Sequence, residues 1–70
     1  MNKQRAKEIL EEGGVLLYEG TWVFNRYYME CLHNEIGHGE CCYDTFKSLE
    51  DAVEYLDDFC DGNYLEVEEI

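Results

Sequence analysis

Two groups of residues in this chain have the types and spacings that could do chemistry. The first is Cys31, His33, His38, Cys41 and Cys42, which flank one polar turn. Thiolate and imidazole ligands gathered at a hairpin can hold zinc tetrahedrally, and Cys31, His33, His38 and Cys41 are the four that would do so. Their spacing, C-x-H-x4-H-x2-C-C, lacks the paired C-x2-C of a strong zinc signature. Strand alternation puts Cys31 and His33 on one face but sends the adjacent Cys41 and Cys42 to opposite faces. The competing reading makes the cysteines small hydrophobes in a sheet and the histidines turn residues. A Cys–His nucleophile from the same set needs a thiolate in electropositive surroundings, and this chain is electronegative nearly throughout.

The second group is a run of carboxylates. Residues 48–61 read SLEDAVEYLDDFCD. Leu49, Ala52, Val53, Leu56 and Cys60 recur at the three-and-four spacing of one helix face. Glu50, Asp51, Glu54, Asp57, Asp58 and Asp61 fill most of the rest. Ser48 is a good N-cap with Asp51 three residues on, and Gly62 and Asn63 supply the stop. The charges oppose this helix. Glu50 with Glu54, and Asp57 with Asp61, are like-charge pairs four apart, costing a few tenths of a kcal/mol each. Asp57, Asp58 and Asp61 crowd the end where the macrodipole disfavours anions. Tertiary packing must therefore hold the helix.

What such a helix could do follows from its charge density. Six acids across eleven residue steps span about 16 Å at the helical rise, or about 3.3 Å from one charge to the next. One strand of duplex DNA carries one per about 3.4 Å. A row of carboxylates at that density can enter a groove built for phosphates and bond to the same Arg and Lys. The alternative is a solvated face that confers solubility. Glu66, Glu68 and Glu69 either extend the anionic surface or guard an edge strand against aggregation.

Composition narrows the classes. Net charge is −12 over 70 residues. Residues 1–43 hold seven acids and four bases, whereas residues 44–70 hold ten acids and only Lys47. Direct binding to nucleic acid or to anionic membranes is disfavoured, because both require Lys and Arg. The natural partner is a basic surface, and nucleic-acid-binding grooves are the commonest of these. Hydrophobic content of 46% with ten aromatics argues for a packed core rather than disorder. No secretory h-region and no run of about 18 apolar residues is present, so a cytoplasmic protein with free thiols is expected. No Gly-rich phosphate loop or serine elbow occurs. No enzyme activity and no cofactor is implied.

The elements that position these residues read as one domain, 1–70. A helix is expected over residues 2–12, strands over 15–18, 21–33 and 40–46, the acidic helix, and an extended tail over 64–70. The order is α-β-β-β-α(-β), an α+β fold with a three-stranded antiparallel sheet and the helices on one face. Alternation along residues 21–33 puts Trp22, Phe24 and Tyr28 on one face and Val23, Tyr27, Met29 and Cys31 on the other. With Tyr43, these aromatics are core residues or interface anchors.

With SLEDAVEYLDDFCD and the EVEE tail in place, the chain resembles the small acidic anti-CRISPR proteins of phages. Some of those are α-β-β-β-α domains that occupy the DNA-binding surface of a CRISPR effector. The resemblance is one of element order and charge, and it carries over no residue. It implies a phage-encoded inhibitor in the host cytoplasm, monomeric or homodimeric, that blocks a basic nucleic-acid-binding protein. The element order also resembles the double-stranded RNA-binding domain, but the second helix here is acidic where that family's is basic. A zinc-hairpin module and an immunity or antitoxin-like cap on a basic toxin are the alternatives.

Overall fold

The computed structural model describes residues 1–31 and 43–70. In chain order the elements are α1 (Lys3–Glu11), β1 (Leu16–Tyr18), β2 (Trp22–Phe24), β3 (Tyr28–Cys31), β4 (Tyr43–Thr45), α2 (Leu49–Phe59) and β5 (Val67–Glu69). Among the described residues the strands form one antiparallel sheet in the order β4-β3-β2-β1-β5. No helix among them is long and apolar enough to cross a membrane.

The sheet has five strands, which corrects the expected three. One cause is Asn25. Its side-chain Oδ1 accepts the Tyr27 and Tyr28 N–H groups at 2.7 and 2.8 Å, and its own N–H donates to the Tyr28 carbonyl at 3.0 Å. Asparagine can bond its own backbone in this way and reverse the chain. The run expected as one strand over residues 21–33 therefore folds back on itself as β2 and β3. The reversal also changes which side chains share a face. Phe24 pairs with Met29, and Tyr28 moves to the opposite face. The other cause is the tail, whose Val67–Glu69 pairs with β1 and adds an edge.

One face of the sheet is covered. Leu16, Phe24 and Met29 lie side by side in register and are at most 1% exposed. Ala6, Ile9 and Leu10 of α1 and Ala52, Val53 and Leu56 of α2 pack onto them with Val67, Cys60 and Tyr64. Each large aliphatic side chain removed from water here contributes about 1.5–3 kcal/mol. The other face, with Leu17, Val23 and Tyr28, is half-buried.

Both helices are capped at both ends by the same devices. Asn2 Oδ1 accepts the Arg5 N–H at 2.8 Å, and Ser48 Oγ accepts the Asp51 N–H at 3.1 Å. At the C-terminus of α1, Gly13 N–H reaches Leu10 O at 3.1 Å and Gly14 N–H reaches Ile9 O at 2.8 Å. In α2 the same two bonds run from Asp61 to Asp58 O (3.2 Å) and from Gly62 to Asp57 O (3.0 Å). This closure needs a left-handed residue just past the cap. Gly13 supplies it with φ 86°; in α2 that residue is Asp61, with φ 54°, followed by Gly62, also left-handed at φ 72°.

The two caps give opposite predictions. Asp61→Gly relieves left-handed strain and removes an anion from the helix C-terminus, so it should raise stability by about 1 kcal/mol. Gly13→Ala forces a Cβ into the same conformation and should lower stability by about 1–2 kcal/mol. Urea unfolding of the two variants beside the parent measures both.

Candidate functional site

The candidate site is the outward side of α2. At about 100° per residue, Asp57, Glu50, Glu54, Asp58 and Asp51 fall in that order within an arc of about 120°. Tyr55, Phe59, Ala52, Leu56 and Val53 fill the opposite arc, toward the sheet. Phe59 meets Trp22, Phe24 and Tyr18 edge-on at centroid distances of 5.2, 5.4 and 5.8 Å. It stacks on Tyr55 at 5.9 Å, and Tyr55 meets Phe46 at 5.1 Å. The aromatic underside fixes the roll of the helix, and that roll turns the acids outward.

Glu50, Asp51, Glu54, Asp58 and Asp61 are exposed. Bases border the ridge on both sides. Lys3 and Lys7 of α1 line a groove with Glu50, Val53, Glu54 and Asp57. Lys47 lies with Asp51, Glu54 and Asp58 on the other flank. The crest between them is anionic.

Asp57 has a different role from the five. It is half-buried, its Oδ1 accepts the Tyr64 hydroxyl at 2.8 Å, and its Oδ2 lies 3.6 Å from Lys3 Nζ. The N-terminal ammonium donates to the Tyr64 carbonyl at 3.2 Å. One carboxylate thus ties the end of α2 to the start of α1 and to the chain leading into β5.

Glu66 and Glu68 do not join the ridge. Glu68 pairs with Leu17, whose neighbour Leu16 points into the core, so Glu68 lies on the sheet face away from α2. Glu66 stands in the turn before β5, where its carbonyl accepts the Glu19 N–H at 3.0 Å. The eight candidate carboxylates therefore divide into four along the outward side of α2, Asp61 just past its C-cap, the joint Asp57, and two that lie elsewhere. Tyr64, Tyr55 and Phe59 were not singled out from sequence. The pair Tyr55 and Phe59, four apart on an otherwise acidic helix, was the available signal.

Among the aromatics, Phe24 is core, Trp22 and Tyr28 are half-buried, and Tyr27 is 64% exposed with Arg26 over its ring at 5.5 Å. Of the candidate zinc ligands, Cys31 is half-buried on β3 opposite Trp22. His33, His38 and Cys41, with Cys42, lie outside the described residues. Among the described residues no group of three His, Cys, Asp or Glu is placed to hold a metal ion.

Three groups near the end of α2 have raised pKa values. Burial, followed by the bond to Asp57, pushes Tyr64 well above its ordinary 10.0. Burial pushes the Cys60 thiol above its ordinary 9.0. The Glu19 carboxylate accepting its hydroxyl pushes Tyr18 up to about 12.

No protein-family model, curated protein or solved structure matches this chain.

Two predictions follow from the joint. Removing the Asp57 carboxylate strands a largely buried hydroxyl, so Asp57→Ala should cost about 1–2 kcal/mol. The adjacent Asp58→Ala should be neutral or slightly stabilising, because it relieves repulsion. Chemical denaturation of the pair reads the difference. For pH, Tyr64, Tyr18 and Cys60 all hold their protons more tightly when folded. Their contribution is complete below the unfolded pKa values and is lost as pH rises through the folded ones. Stability should fall from about pH 9 upward, and Tyr64→Phe should flatten that fall in thermal melts taken at pH 8 to 11.

Proposed function

We propose that this protein is a non-enzymatic inhibitor that docks the acidic ridge of α2 into a basic, nucleic-acid-binding groove of another protein. The observation that carries this reading is the state of Glu50, Asp51, Glu54, Asp58 and Asp61. All five are exposed; Asp58 in the last turn of α2 and Asp61 just past its C-cap oppose the macrodipole, whereas Glu50 and Asp51 in the first turn are favoured by it. The ion pairs found among the described residues, Lys3–Asp57, Arg5–Glu8 and Arg5–Glu69, engage none of the five. Carboxylates held this way meet Arg and Lys without first giving up an internal partner.

Charge-assisted hydrogen bonds to guanidinium groups supply the specificity of sign. The long-range field steers encounter and is screened by salt. A groove that normally receives phosphates presents the Arg and Lys that such carboxylates bond. The acidic charge that the chain has in common with small acidic anti-CRISPR proteins supports a phage-encoded inhibitor of a CRISPR effector or a similar enzyme in the host cytoplasm. No direct contact with nucleic acid or membrane is part of this function. A basic toxin would suit the same ridge, and the identity of the captured partner separates the two.

The test is capture of host proteins on the immobilised intact chain. The retained protein should bind nucleic acid and should be displaced by duplex DNA. Asp58→Lys with Asp61→Lys should weaken retention at least tenfold at 0.1 M salt. A retained partner that duplex DNA does not displace, or that ignores the charge reversal, would show this reading to be wrong.

A further inference from the structure

We infer that Leu65 is the apolar anchor of this surface, received by an apolar pocket that lies beside the basic groove of the protein partner. This rests on the ridge reading above. Charge governs sign and encounter rate more than affinity, which a few desolvated side chains supply. The aromatic residues of α2 are not available for that task. Tyr55 and Phe59 face the sheet.

Leu65 is 83% exposed, the most exposed large apolar side chain among the described residues. It stands at the corner of a tight turn, where Gly, Asn, Asp or Ser is usual. The turn is tied at every step. Val67 N–H donates to the Tyr64 carbonyl at 3.2 Å, and Leu65 N–H donates to Asn63 Oδ1 at 3.1 Å. Tyr64 beneath it is 7% exposed and bonded to Asp57. A side chain displayed on a pinned backbone loses little further freedom on binding.

The surroundings specify the occupant. Leu65 shares a shallow depression with Met1, Lys3, Asp57 and Gly62 near the C-terminal end of α2, and Lys3 there is taken up by Asp57. On its other side the chain runs into Glu66, next to Glu19. With that cation already paired and the exposed Glu66 next to it, Leu65 in a chain of net charge −12 fits a pocket rimmed by cations. A second copy of this chain would bring like charges together, since each carries −12. An anionic lipid surface is opposed for the same reason.

The experiment uses two short helical arginine-rich peptides, one ending in a Leu-Phe pair and one with alanines there, titrated into the intact, methyl-labelled protein. The apolar-ended peptide should bind at least fivefold more tightly and shift the Leu65 methyl resonances. Leu65→Ala should abolish the difference while leaving the melting temperature and the affinity for the alanine peptide unchanged. Equal binding of the two peptides, or a difference that survives Leu65→Ala, overturns the anchor and leaves the ridge standing. Failure of both peptides to bind overturns the ridge and the anchor with it.

Discussion

Phe59 meets three rings of the sheet edge-on and a fourth ring, Tyr55, on its own helix. With Leu56, Ala52 and Val53 beside it, this underside holds α2 in place. The rest of the structure depends on that contact. An isolated helix with five acids, no base, and anions at its C-terminal end would not form in water. Burial of the underside offsets those charges, and the same contact decides which way they point.

A rigid ridge differs from a flexible acidic tail in what it can recognise. A disordered run of the same composition would lose conformational entropy on meeting a groove. Here ordering is complete before any encounter, so the field of the acids acts from fixed positions. The cost appears within the domain. Asp61 occupies a left-handed position where glycine would be easier, and like charges sit four apart along α2. Both features lower stability in a chain of 70 residues, which has little core to spare.

The joint at Asp57 shows how one residue of a charge run can have a structural task. Its neighbours face solvent, whereas it accepts from Tyr64 and approaches Lys3. That arrangement locks α1, α2 and the approach to β5 together near the chain start. It also fixes the backbone from which Leu65 projects. The end of the ridge and the exposed leucine are consequently parts of one rigid unit.

The sequence by itself determined the helices, the Ser48 N-cap, the α+β class and the acidic arc of α2. These follow from local periodicity and capping, which nearby residues decide among themselves. It did not show that residues 22–31 fold into two strands, because apolar alternation runs through Asn25 without a glycine or proline to mark the break. A side chain bonding its own backbone made that turn. Nor did it show that Glu68 belongs to the far face of the sheet, or that Asp57 belongs to the core's rim. Those placements depend on strand register and on Tyr64 reaching back seven residues. Only tertiary structure brings such groups together, because distance along the chain carries no record of distance in space.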